Sequence, residues 1–190
     1  MLNFPPYHHG EMRCGFMHTL GFKDRFRSAF VSGPSHIYIS TYVLSCNWNR
    51  QTDYITHFLY TCLDLAESEK CDIRFILDAP KKNRPNHAAN STMIRWLYLH
   101  DIPVRVLPGK AVGHMKLAIF GHQVAFFGSH NLAMSSLNNP GDMSLEITHR
   151  PDVRFLFRYY QELWQRCELP ALLQNLPAKA PPSFIKHDWR

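Results

Sequence analysis

Gly113-His114-Met115-Lys116-Leu117-Ala118-Ile119-Phe120-Gly121, followed shortly by Gly128-Ser129-His130-Asn131-Leu132, is the stretch on which the fold turns. Met115 to Phe120 and Gln123 to Phe127 are apolar runs separated only by Gly121-His122, the pattern of a β-hairpin. Side chains alternate along a strand, so His114 and Lys116 at its start point from one face toward one spot. Past the second strand, Gly128 and Ser129 offer a tight turn with exposed N–H and hydroxyl groups, and Asn131 adds an amide. Such a set is suited to receive an anion.

Upstream of the hairpin, strands and helices alternate. His36 to Leu44 is β-branched and aromatic and reads as a buried strand. From Thr52 to Glu67, the residues Ile55, Phe58, Leu59, Cys62 and Leu65 recur at helical steps. Asp72 to Leu77 is a second strand, Asn90 to His100 a short helix, and Ile102 to Leu107 a third strand with Pro103 near its beginning. Downstream, Asp142 to Thr148 reads as a strand bearing Glu146, and Pro151 to Arg166 as a helix with Val153, Leu156, Phe157, Tyr160 and Trp164 on one side. The expected class is α/β, a mixed and mostly parallel sheet with helices on both faces. Residues 1–170 form one domain in this reading, and 171–190 a proline-rich tail punctuated by Pro177, Pro181 and Pro182.

The segment Asp78-Ala79-Pro80-Lys81-Lys82-Asn83-Arg84-Pro85 is a basic, proline-punctuated loop at the carboxyl end of a strand, where ligands of open α/β sheets gather. Lys81, Lys82 and Arg84 are therefore candidates for contact with a phosphate backbone. With 21 Lys and Arg against 15 Asp and Glu, the chain carries a formal charge of +6, which favours a polyanionic partner.

Cys14, Cys46, Cys62, Cys71 and Cys167 are odd in number and lack a Cys-x-x-Cys pair, so neither a disulfide framework nor a zinc site is implied. Met1 to Gly10 carries Pro5, Pro6, His8 and His9 in place of a basic-then-apolar leader, and no run of about 18 apolar residues occurs. These features predict a cytoplasmic protein without stable membrane association. Walker-type and Gly-x-Gly-x-x-Gly loops are absent, so nucleotide hydrolysis is not indicated.

His-x-Lys, then after two short strands Gly-Ser-x-Asn and a downstream acid, resembles the phospholipase D superfamily. The residues that carry the resemblance are His114, Lys116, Gly128, Ser129, Asn131 and Glu146. One position departs, since the family's motif runs from the lysine through four residues to an aspartate, and here that place is Gly121. Members with two copies of the motif build one site from both. This chain has one copy, so the resemblance implies a homodimer in which two His114 side chains face one another.

The resemblance also implies a reaction. A phosphodiester repels nucleophiles through its charged oxygens. Lys116, the Asn131 amide and the Ser129 hydroxyl would neutralise that charge, with His130 facing substrate or solvent beside them. The His114 imidazole would attack phosphorus to give a phosphohistidine, with Glu146 accepting from its other nitrogen and fixing the tautomer. His114 of the second copy would protonate the leaving alkoxide and then activate water. Neither metal nor cofactor is called for. The expected activity is an endonuclease, with DNA ahead of RNA. Two rivals are a nucleic-acid-binding protein weakened at Gly121 and a phosphodiesterase directed at phospholipid.

Overall fold

The computed structural model describes residues 14–49, 53–68, 70–81, 84, 86–109 and 112–174. In chain order its elements are β1 (Cys14–His18), α1 (Thr19–Val31), β2 (His36–Thr41), α2 (Tyr54–Glu67), β3 (Asp72–Leu77), α3 (His87–Leu99), β4 (Val104–Val106), β5 (Leu117–Phe120), β6 (Val124–Gly128), α4 (Met134–Leu137), β7 (Met143–Ile147) and α5 (Arg150–Arg166), closed by a 3-10 turn at Ala171–Leu173.

All six residues of β2 are buried, as its unbroken apolar and β-branched run requires. The strand sits inside a seven-stranded sheet of order β1-β7-β6-β5-β2-β3-β4. The α/β class and the mixed sheet agree with the sequence. Parallel pairing is confined to β2–β3 and β3–β4, whereas β5, β6, β7 and β1 all pair antiparallel. The balance is thus less parallel than the alternating pattern suggests. The reason is that the short β5–β6 connection enforces a hairpin, and β1 joins the far edge beside β7.

Two apolar layers hold the sheet. On one face α1, α2 and α3 pack through Phe26, Phe30, Phe58, Leu59, Ile94 and Leu97, all with essentially no exposure. Phe22, Phe26 and Phe30 recur every four residues and so line one side of α1. Beyond its first turn α2 follows its expected stripe, and Asp53 Oδ1 accepts from Thr56 N at 2.8 Å to satisfy an otherwise orphaned donor.

On the other face α5 is the one described helix over β2, β5 and β6, with Val153, Tyr160 and Trp164 buried against Tyr38, Leu117 and Ile119. The Tyr160 hydroxyl donates to the carbonyls of Ile39 at 3.1 Å and Arg74 at 2.9 Å, which secures a fully buried polar group. Cover by the described residues thins toward β1: Phe127, Leu145 and Phe16 stand in one cross-strand row on this face, where Leu145 packs against the cluster while Phe127 is 43% and Phe16 77% exposed.

Leu173 is buried against the first layer, so the last described residues belong to the domain. The expected proline-rich tail lies outside the described residues from 175 onward. All five cysteines are free. No described helix is long and apolar enough to cross a membrane.

Candidate active site

The carboxyl ends of β2, β3 and β6 meet the amino ends of β5 and β7 at one edge of the sheet, and the His-x-Lys and Gly-Ser-x-Asn stretches converge there. β5 begins only at Leu117, so His114 and Lys116 stand in the extended approach to the strand. Lys116 Nζ lies 2.9 Å from Nδ1 and 3.1 Å from Nε2 of His114, and donates to the His114 carbonyl at 2.8 Å. Lys116 is buried while His114 is exposed. The ammonium therefore forms a floor, and the imidazole faces outward above it. Burial lowers the Lys116 pKa, opposed by the charge of Asp142. The Tyr42 ring packs 4.8 Å from the imidazole and 5.3 Å from Lys116 Nζ.

Asn131 joins this group through its carbonyl oxygen, which accepts from Val43 N at 3.1 Å. That bond turns Nδ2 into the free end of the amide, suited to an anionic oxygen. Ser129 is exposed at the edge, and its hydroxyl accepts from Met143 N at 2.8 Å, clamping β6 to the head of β7. Its first role is thus structural.

His130 departs from expectation. The residue is 3% exposed, its ring is stacked on Phe22 at 4.4 Å, and Nδ1 lies 2.8 Å from Ser144 Oγ. It faces the interior because the turn that presents Ser129 to solvent sends the next side chain under the sheet.

Burial lowers the pKa of His130, and of His36 on the other face, where the charge of His122 acts in the same direction. Both groups resist protonation in the folded state. The unfolded chain therefore binds more protons once pH falls below the ordinary histidine value. Thermal midpoints should be level at neutral pH and fall as pH drops from about 7 toward 5, around the ordinary histidine pKa of about 6.5. His130→Gln should flatten that slope in a calorimetric pH series.

Glu146 is also placed elsewhere. It stands opposite Phe126, whereas Lys116 is level with Gly128. It is thus two strand spacings (about 10 Å) and four residues of extended chain (about 13 Å) from His114. Its carboxylate is held by Arg25 of α1 at 2.6 Å. The half-exposed pair contributes about 1 kcal/mol or less. Glu146→Gln should accordingly leave turnover of any phosphodiester within about twofold of wild type, measured as initial rates.

The acid at the site end of β7 is Asp142, one residue before the strand. It accepts from Ser136 Oγ at 2.5 Å. Burial raises its pKa, but the hydrogen bonds from Ser136 and Ser129 outweigh that and hold it below the usual value. Asp142 is the first acid after Gly-Ser-x-Asn and follows Pro140-Gly141, a turn signal that marks the head of the strand.

Gly121 closes the β5–β6 turn with φ +55°, a conformation that glycine adopts freely. It is seven residues, about 23 Å of extended chain, from His114. The departure there removes no group from this edge.

Of the basic loop, Lys81 is half-buried, and Lys82 lies outside the described residues. Arg84 is engaged inward, its Nη1 3.1 Å from Oδ2 of the buried Asp78, because a carboxylate removed from water requires a counter-charge. Among the described residues no three of His, Cys, Asp and Glu converge as metal ligands would. A groove of about 420 Å³ opens at His114 and Lys116, running between β6 and α5 along Met115, Phe127, Phe155 and Tyr159.

A family model described as "Cardiolipin synthase, PLD-like domain" matches residues 27–164. The chain belongs to the phospholipase D superfamily. Solved structures carry the same fold. NucT from Helicobacter pylori is 18% identical with a TM-score of 0.59, over 83% of this chain and 98% of that one. Nuc from Salmonella typhimurium, a phospholipase D family member, is 15% identical with a TM-score of 0.62, over 83% and 97%. The phosphatidylserine synthase of Haemophilus influenzae is 11% identical with a TM-score of 0.64, over 83% of this chain and 39% of that one. A sequence search of curated proteins gives no match.

Proposed function

We propose that this member of the superfamily is a phosphodiesterase acting on nucleic acid, DNA ahead of RNA, through a phosphohistidine at His114. One observation carries the reading: an exposed imidazole is held over a buried ammonium, at a sheet edge where the Asn131 amide is anchored through its oxygen. The imidazole nitrogen forms the bond to phosphorus as the bond to the leaving oxygen breaks. Lys116 and Asn131 take up the charge on the remaining oxygens. Water then displaces the histidine. An imidazole nucleophile needs no metal-activated water.

The leaving oxygen requires a proton, and among the described residues no acid hydrogen-bonds His114. His114 of a second copy is the donor in this reading. Phe16 and Phe127, exposed among the described residues in a row that continues into the groove at His114, supply an apolar surface for such a copy. Nucleic acid fits the charge of +6 and the exposed Arg150, Arg154 and Arg158 spaced by full turns along α5.

The apolar groove favours a second reading, in which it receives an acyl chain and the substrate is a phospholipid, as the name of the phosphatidylserine synthase relative indicates for that protein. Purified protein should be incubated with plasmid DNA, structured RNA and phospholipid vesicles, each with excess EDTA. Cleavage of DNA, with specific activity falling on dilution, is the expected result. Turnover on vesicles alone selects the lipid reading, and loss of all cleavage in EDTA overturns the mechanism.

A further inference from the structure

The side chain of Asp78, the residue after β3, has no exposed surface. Moving a carboxylate out of water costs several kcal/mol unless donors replace its hydration. Three converge on it: Gly113 N at 2.6 Å, Asn86 Nδ2 at 2.9 Å and Arg84 Nη1 at 3.1 Å. Arg84 supplies the counter-charge. The shortest bond, however, reaches the backbone immediately before His114, in a stretch that belongs to no strand. Gly113 lies so close that an added Cβ would meet Asp78 Cα at 3.2 Å.

A second linkage leaves the same cluster. Asn86 and Asn90, one turn apart at the head of α3, both donate to the Tyr42 carbonyl, at 3.2 and 2.9 Å. Asn90 also donates to the Asp78 carbonyl at 2.9 Å and accepts from Leu44 N at 3.1 Å. Tyr42 is the residue whose ring packs on His114. One buried polar cluster therefore grips the chain before the imidazole and the ring beside it.

We propose that Asp78 is a positioning residue for the nucleophile: through the Gly113 N–H its carboxylate sets where the His114 imidazole stands relative to phosphorus. The inference rests on the reading of His114 as nucleophile. In-line attack tolerates little misplacement, and a shift of about 1 Å can cost about 100-fold in rate. An amide in place of the carboxylate must turn its own N–H groups toward one of three donors, so the cluster cannot close as before.

The test compares Asp78→Asn and Gly113→Ala with wild type, using plasmid nicking and a small aryl phosphodiester for steady-state constants. It also reads the His114 imidazole resonances by NMR, assigned through their loss in His114→Ala. Asp78→Asn should lower kcat by about 100-fold with KM within about twofold. Gly113→Ala, which crowds the same contact and removes no polar group, should lower kcat by about 10-fold or more in the same pattern. Both should move the His114 resonances.

A folded Asp78→Asn protein with unchanged kcat and unchanged resonances overturns the proposal, as does a loss confined to KM. If Asp78→Asn does not fold, Gly113→Ala decides by the same readouts. If wild type cleaves neither substrate, the nuclease reading fails on its own, and the resonances alone decide whether Asp78 positions His114.

Discussion

His114→Ala should reduce phosphodiester cleavage by at least about 10³-fold in kcat, with KM within a few-fold of wild type, in steady-state assays at neutral pH. The asymmetry follows from the division of labour at the sheet edge. Lys116 Nζ keeps its bond to the His114 carbonyl and the Asn131 amide its bond from Val43 N when the ring is removed, so both stay in place to take up charge. What disappears is the atom proposed to form the bond to phosphorus. A brief acid-free quench of the wild type with labelled substrate should trap a phosphoryl group on His114, stable in alkali and lost in acid. Its absence, with cleavage intact in His114→Ala, would remove the imidazole from the chemistry.

Gly128→Ala should destabilise the fold by about 3 kcal/mol or more, a drop of roughly 6–12 °C in Tm for a chain of this size, read by calorimetry or thermal circular dichroism. Gly128 is needed for close approach. A Cβ there would stand 2.5 Å from Ser144 Cα and closer still to the Met143 carbonyl oxygen. Neither is the end of a flexible side chain, so relief requires β6 and β7 to separate. That separation breaks the Ser129 clamp on Met143 N and the His130–Ser144 contact. Stability and activity should be lost together, unlike the clean loss of rate in His114→Ala. A variant with a Tm within about 2 °C of wild type would contradict the close packing described.

The order of strand and helix from His36 onward was legible because each element is long enough to show its period. The stripe of α2 and the apolar run of β2 are cases of it. Boundaries shifted where hydrogen bonding departs from hydropathy. β2 ends at Thr41 and not at Leu44, because the chain peels away for Tyr42 to meet Asn86 and Asn90. Likewise α3 begins at His87, inside what reads as loop.

The candidates His114, Lys116 and Asn131 lie at one edge of the sheet because the β5–β6 hairpin returns the chain beside its start. The acid is not fixed in this way. Glu146 and Asp142 both lie on or beside β7, and only the register of β7 against β6 sets one toward Arg25 and the other among Ser129, Ser136 and Lys116. His130 and Arg84 were misplaced for a related reason. A polar residue in a motif or basic loop reads as solvent-facing until a cavity under the sheet or a buried carboxylate claims it.

By itself, the sequence determined the family, the α/β class and the histidine–lysine pair, because these depend on residue type and on spacings of a few residues. Tertiary structure alone decided which acid stands at the site, that Asp78 grips the chain before His114, and that an apolar groove opens beside it. Each of these joins residues tens of positions apart, and such contacts exist only once the strands have paired in one register.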